Sequence, residues 1–158
     1  GDLIVIQEKF DGSNAAARYD AETGKMVAFS RRHTLNQNNT LNGFYNYVQE
    51  LNPEDYKDVP DYVIFGEWSG ARNAIIYYPE NTKKWYVFDI YDVREKKYLP
   101  QSEVKGICRN AWTYIYQYIL CWTVCQLGTC TKFYGSSGIW RNSRRYCYKE
   151  PNKIKRSE

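Results

Sequence analysis

The 158-residue chain predicts an α+β domain dominated by antiparallel sheet. Short runs rich in β-branched and aromatic residues recur, bounded by Gly, Pro, Asn and Asp clusters. Turn-forming strings fall between them, Asp11-Gly12-Ser13 and Ala21-Glu22-Thr23-Gly24 among them. Residues 42–51 carry apolar side chains at helical spacing. A chain of this length is one domain and can bury a moderate core. No apolar run is long enough to span a bilayer, the longest candidate being the broken stretch 114–127.

In order, Leu3-Ile4-Val5-Ile6 opens a strand over residues 3–10, and Ala15-Ala16-Ala17-Arg18-Tyr19 lies in a second over 13–20. Asp11-Gly12-Ser13 has the composition of a hairpin turn between them. After the second turn comes a strand over 25–29, then a loop through Asn36-Gln37-Asn38-Asn39. The helix over 42–51 follows, with Phe44, Tyr47, Val48 and Leu51 on one face, and Asn52-Pro53 ends it. Strands over 61–68 and 84–91 come next, the latter after a Pro79-Glu80-Asn81 turn. A short strand over 97–99 and a helix capped by Pro100-Gln101-Ser102 complete the body. Residues 106–158 are expected to be poorly ordered, since their pattern serves neither helix nor strand consistently.

The chemistry concentrates in Gln7-Glu8-Lys9-Phe10-Asp11-Gly12-Ser13-Asn14. Strand alternation puts Lys9 and Asp11 on one face. A lysine amine becomes a useful nucleophile when burial or a nearby cation lowers its pKa. By itself a K-x-D-G string fits equally a solvated Lys-Asp pair beside a turn. Gly66-Glu67-Trp68-Ser69-Gly70 delivers a carboxylate from a strand end, suited to a magnesium ion or a ribose. The run from Trp85 to Asp92 reads as a buried aromatic strand with one acidic residue inside it. Taken singly, these two are ordinary strand-edge and core patterns.

Taken in order, the segments resemble the catalytic domain of ATP-dependent RNA ligases, within the covalent nucleotidyltransferase superfamily that also holds DNA ligases and capping enzymes. The family's motif I, K-x-[DH]-G-x-N, is matched by Lys9, Asp11, Gly12 and Asn14. A Ser-Arg-Arg element is matched by Ser30-Arg31-Arg32. Motif III, F-G-E-x-x-G, is matched by Phe65, Gly66, Glu67 and Gly70, and motif IIIa by Trp85 through Ile90. The resemblance covers about the first hundred residues, and four ordered motifs are far more specific than any one of them.

The resemblance implies an antiparallel, ATP-grasp-like nucleotidyltransferase core, here incomplete, with ATP and Mg²⁺ as cofactors and RNA as partner. Lys9 would attack the α-phosphorus of ATP and hold AMP as a phosphoramidate. Asn14 and Arg32 would contact ribose, phosphate or the incoming 5′-phosphate end, Glu67 the ribose or the metal. Phe88 would stack on the adenine, Glu8 would sit beside the base, and Asp11 and Gly12 complete the nucleotide-binding motif. AMP would then pass to an RNA 5′-phosphate, and a 3′-hydroxyl would displace it to repair a nicked or broken strand. Such transfers depend on positioning and on neutralised phosphate charge, which calls for Mg²⁺ and cationic side chains. Arginine offers phosphate a planar fork, and a flat ring gives a purine its stacking platform.

The sequence also departs from the family. Motif IV, E-G-x-x-x-K, is absent after residue 92, where the glutamates are Glu95, Glu103, Glu150 and Glu158, none followed by glycine. Motif V lysines are not found either. Residues 1–104 hold 12 Lys/Arg against 16 Asp/Glu, and residues 105–158 hold 10 against 2, together the net +4. All five cysteines lie in the second part. So abrupt a change of preference is rare within one domain. The chain therefore divides into a partial ligase domain, 1–105, and an atypical basic, Cys- and aromatic-rich tail, 106–158.

A change of reading frame near Lys105-Gly106 accounts for the break. Regrouping the last two bases of each codon with the first of the next, under permissible synonymous choices, turns residues 144–150 into E-G-I-V-I-K-N, the absent motif IV. It turns residues 121–127 into V-G-P-F-V-S-W. Taken at face value instead, Lys132-Phe133-Tyr134 and the stretch 141–148 interleave basic and aromatic residues as nucleic-acid-binding surfaces do. No regular period gathers those basic residues on one face. Cys121-x3-Cys125-x4-Cys130 is a poor zinc knuckle, lacking C-x2-C spacing, with the single histidine, His33, far away. An odd cysteine count with none before Cys108 argues against disulfides and for a reduced, intracellular, cytoplasmic setting. The first residue is Gly1 and the lysine strand begins almost at once, which points to a missing N-terminal stretch or a cleaved tag. The alternatives to an RNA ligase are a non-catalytic RNA-binding fragment and a DNA ligase or capping-enzyme relative.

Overall fold

The computed structural model describes residues 4–8, 10–70, 77–111, 122–124 and 145–149. Five strands form one antiparallel sheet in the order β3-β2-β4-β5-β6: β2 is Ser13–Asp20, β3 Lys25–Ser30, β4 Tyr62–Trp68, β5 Trp85–Asp92 and β6 Lys97–Tyr98. A separate three-stranded sheet runs β7-β1-β8, with β1 at Ile4–Glu8, β7 at Trp122–Val124 and β8 at Arg145–Lys149. Helix α1 covers Phe44–Gln49 and α2 covers Gln101–Ala111. The expected antiparallel α+β architecture is present. Among the described residues, no helix is long and apolar enough to cross a membrane.

The core forms on one face of the five-stranded sheet. Ala15 and Ala17 of β2, Ile64 and Trp68 of β4, and Trp85, Val87 and Ile90 of β5 are buried there. Phe44 and Val48 of α1 and Val104 and Cys108 of α2 belong to the same apolar cluster. Small alanines on β2 leave room for the Trp85 indole, whose Nε1 donates to the Ala15 carbonyl at 3.3 Å. A methyl at Gly66 would run into that indole, so the close approach of β4 and β5 requires glycine. Helix α1 is shorter than the expected 42–51 because Leu41, Asn42 and Gly43 adopt positive φ, of 48°, 54° and 93°. Its expected apolar face is nevertheless the buried one, with Tyr47 and Leu51 packed at the margin.

The hairpin expected between residues 3–10 and 13–20 does not form. Strand β1 is flanked by β7 and β8, and β2 by β3 and β4, so residues 10–12 cross between sheets instead of turning back. Long-range packing overrides the local turn composition. Phe10 stacks between Tyr77 and Tyr86, with centroids 4.1 and 4.0 Å away. Gly12 lies so close to the Trp68 carbonyl that a Cβ would come within 2.5 Å of its oxygen.

Of the tail, for which poor order is expected, residues 106–111, 122–124 and 145–149 are described. Segments 122–124 and 145–149 are strands on the two edges of β1, in registers that pair Ile4 with Val124 and Glu8 with Arg145. An isolated strand presents unpaired N–H and C=O groups on both edges and so templates any extended segment within reach. The compositional break at Lys105-Gly106 falls inside α2, whose Val104 and Cys108, on either side of it, are both buried. Cys121, Cys125 and Cys130 lie outside the described residues, as do Lys132, Phe133 and Tyr134. Cys108 is a free thiol, and burial pushes its pKa up to about 12.

Candidate active site

The face of the sheet opposite the core encloses a cavity of about 520 Å³. Asn14, Ala16 and Arg18 of β2, Val63 and Phe65 of β4, and Phe88 and Asp89 of β5 line it. Phe29, Ser30 and Arg31 border it from β3 and the turn beyond, and Tyr98 from β6. A concave space of this size, apolar with a few polar groups, suits a small molecule.

Two consecutive β5 residues reach this cavity because the ladder is irregular. Phe65 of β4 pairs with Asp89, but the next residue, Gly66, pairs with Val87, leaving Phe88 as the extra residue of a β-bulge. Without the bulge, alternation would send Phe88 and Asp89 to opposite faces. With it, both line the cavity, while Val87 and Ile90 on either side stay in the core. Bulges commonly re-aim side chains beside active sites. The buried Gln101 side chain, at the start of α2, secures this one: its Nε2 donates to the Phe88 carbonyl at 2.8 Å and to Asp89 Oδ1 at 3.1 Å. Burial pushes the Asp89 carboxyl up to about 6, and the hydrogen bond from Gln101 opposes that rise.

The segment after β1 meets the end of β4. The Gly12 amide donates to Glu67 Oε1 at 3.2 Å. Asn14 lies directly across from Glu67 in the β2–β4 register. Motifs separated by more than fifty residues are thus joined by one hydrogen bond and one cross-strand pair, with both Gly12 and Glu67 half-buried. Asp11 is held by its backbone: its amide donates to the Tyr77 hydroxyl, and the same hydroxyl donates to its carbonyl at 3.0 Å.

Of the site residues read from sequence, Asp11, Gly12 and Glu67 form this junction, and Asn14 and Phe88 line the cavity. Arg32 is exposed in the turn after β3, beside Arg31, which reaches the cavity lining. That turn is closed by Ser30, whose amide donates to the His33 carbonyl at 2.8 Å and whose hydroxyl accepts from the His33 amide at 3.1 Å. Glu8 ends β1 opposite Arg145. Lys9 lies outside the described residues. Sequence reasoning missed Arg18, Tyr77 and Gln101. None sits in a motif, although Gln101 was recognised as a helix cap. Among the described residues no three His, Cys, Asp or Glu side chains cluster as a metal site.

Sheet order, bulge and motif junction together define a nucleotidyltransferase-like ligase fold. The profile of the RNA ligase family matches residues 2–135, a stretch that runs across the compositional break. The chain belongs to the RNA ligase family. Solved structures with a similar fold include an archaeal ATP-dependent RNA ligase, at 24% identity and a TM-score of 0.60, covering 78% of this chain and 32% of that one. A lysine-to-alanine mutant of the Naegleria gruberi RNA ligase, solved with ATP and Mn, matches at 16% identity and a TM-score of 0.56, over 77% of this chain and 36% of that one. A second such mutant of the same ligase, also with ATP and Mn, gives 18% and 0.58, over 76% and 37%. At these identities the likeness speaks for the fold. The chain spans about a third of the length of the structures it matches. No curated protein matches it.

Proposed function

We propose that this chain carries the nucleotidyl-transfer chemistry of an ATP-dependent RNA ligase. The observation that carries the reading is the junction of motifs: the Gly12 amide on the Glu67 carboxylate, Asn14 across from Glu67, and Phe88 thrown by the bulge onto the same sheet face. In this reading the Lys9 amine loses a proton and attacks the α-phosphorus of ATP. A nitrogen–phosphorus bond forms, the bond to pyrophosphate breaks, and AMP is left on the lysine. AMP then passes to an RNA 5′-phosphate, and a 3′-hydroxyl displaces it to seal the strand.

Each residue has a task that its chemistry allows. Phe88 stacks on the adenine. Asn14 and Glu8 contact the nucleoside, and Arg31 and Arg32 offer phosphate-binding forks on an exposed turn towards the RNA end. Glu67 holds the ribose or a Mg²⁺. Mg²⁺ is usually bound by one or two carboxylates together with substrate phosphates and water, so a single glutamate fits that donor set. A reduced, intracellular setting agrees with the free Cys108 thiol.

The tail bears on how well this proceeds. We read residues 106–158 as translated from a shifted frame, which would give β8 the sequence G-I-V-I-K, richer in β-branched residues than the Arg145-Tyr146-Cys147-Tyr148-Lys149 it has. The motif IV carboxylate and motif V cations are then lost, and each such electrostatic contact is worth on the order of 100-fold in rate. The nucleotide sequence tests this point: a coding strand in which no single-base insertion or deletion restores E-G-x-x-x-K overturns it.

The activity is tested by incubating the full chain with α-labelled ATP and Mg²⁺. A covalent label stable to alkali and labile to acid is expected, and Lys9→Ala should abolish it. Label persisting in Lys9→Ala, or none on the parent chain, overturns the reading. Nicked RNA against nicked DNA, and ATP against GTP, separate it from DNA ligase and capping-enzyme chemistry. Salt-dependent RNA binding without labelling would identify a non-catalytic RNA-binding fragment.

A further inference from the structure

Tyr77 has no place in any motif, yet it contacts the segment that follows β1 through both its ring and its hydroxyl. Its ring stacks on Phe10 almost in parallel, 4.1 Å apart at 4°, and Phe10 is backed on its other side by Tyr86 at 4.0 Å. All three rings are buried and form a cluster of their own, separate from the main core. The Tyr77 hydroxyl also occupies both hydrogen-bonding groups of one backbone residue, accepting from the Asp11 amide and donating to its carbonyl. Residues 10–12 cross between the two sheets, and the phenol ties this crossing down at Asp11.

We infer that Tyr77 is a positioning residue for the nucleophile: by clamping Phe10 through its ring and Asp11 through its hydroxyl, it fixes the backbone that carries Lys9. This rests on the nucleotidyl-transfer reading. Lys9 is bonded directly to Phe10 and lies one residue beyond β1, so a rigid Phe10–Asp11 pair restricts where the amine can be delivered. Attack on phosphorus requires the nucleophile in line with the departing pyrophosphate, and small misplacements of a reacting group are costly in rate. Tyr86 backs the stack, and its hydroxyl donates to the Asn81 carbonyl at 2.8 Å.

The role predicts a particular split in kinetics. Tyr77 does not line the cavity that would take the nucleotide. Loss of its hydroxyl should therefore slow covalent transfer without weakening nucleotide binding. Tyr77→Phe keeps the ring and its stack and removes both hydrogen bonds. With the full chain, α-labelled ATP and Mg²⁺, the rate of labelling at saturating ATP is expected to fall about tenfold, while the half-saturating ATP concentration stays within about twofold. Equal labelling rates in parent and variant overturn the inference and leave the ligase reading standing. A parallel loss of rate and affinity overturns it too, because that marks general damage to the site. No label on the parent chain overturns the ligase reading and this role with it. Amide hydrogen exchange on the parent chain gives a readout that does not depend on the variant folding. Slow exchange at Asp11, matching strand amides, supports the clamp, and exchange as fast as in exposed loops overturns it.

Discussion

The two faces of the five-stranded sheet are built from the same strands but obey different rules. Beneath α1 and α2, Ile64, Trp85, Val87 and Ile90 are almost completely buried in one hydrophobic cluster. On the other side Asn14, Arg18, Phe88 and Asp89 border open space. Along β2 and β4 simple alternation divides the two sets. Strand β5 alone changes parity, at Phe88 and Asp89. A strand that merely filled a core would gain nothing from the change, since a bulge disrupts the ladder. The irregularity falls where β5 borders the cavity.

Substitutions on the two faces should separate stability from binding. Trp85→Ala removes the largest fully buried side chain, and a loss of about 3 to 5 kcal/mol is expected in urea unfolding. A loss below about 1 kcal/mol would mean that the dry face is not the main core. Glu67→Ala should leave the fold intact and lower the rate of covalent labelling by about 100-fold. Unchanged labelling would remove this carboxylate from the chemistry. Phe88→Ala should weaken ATP binding by about 1 to 3 kcal/mol, read by equilibrium titration, with little effect on unfolding. Destabilisation as large as that of Trp85→Ala would reassign the ring to the core.

Asp89→Asn is the mildest change and the one that depends on pH. Burial raises the folded-state pKa from 3.8 to about 6, so the folded chain holds this proton more tightly than the unfolded chain does. The group's contribution to stability is therefore complete below about pH 4 and lost as pH rises through about 6. Asparagine stays neutral and can still accept from Gln101. Above pH 6 the variant should be more stable by about 1 kcal/mol, allowing for solvent screening of a half-exposed carboxyl, and below pH 4 the advantage should vanish. Urea midpoints measured from pH 4 to 7 check this. A constant difference across that range would assign the effect to something other than this titration.

The body of the fold was legible because its signals are local. Runs of strand-type residues bounded by turn formers marked β2 and β4, Pro79-Glu80-Asn81 marked the turn before β5, and the spacing of Phe44 and Val48 marked the buried face of α1. The ordered motifs singled out Glu67, Asn14 and Phe88, of which Asn14 and Phe88 line the cavity and Glu67 accepts from the Gly12 amide. What escaped was partner choice. Asp11-Gly12-Ser13 has turn composition, but nothing nearby reveals that Tyr77 and Tyr86 draw Phe10 away from a hairpin. The bulge was equally hidden. In Trp85-Tyr86-Val87-Phe88 every residue is apolar or aromatic, so no polar alternation exists in which a change of parity could be seen.

Helix α2 carries a practical consequence for anyone recombining this chain. It begins with the residue that secures the bulge, Gln101, and ends among residues of the basic tail, so its hydrophobic side belongs to both compositional halves at once. A chimera spliced between Lys105 and Gly106, where the composition invites the cut, would divide a cooperative unit. It would be expected to inherit an unravelling end just behind Phe88 and Asp89. Crossover points placed beyond Ala111 keep that unit whole.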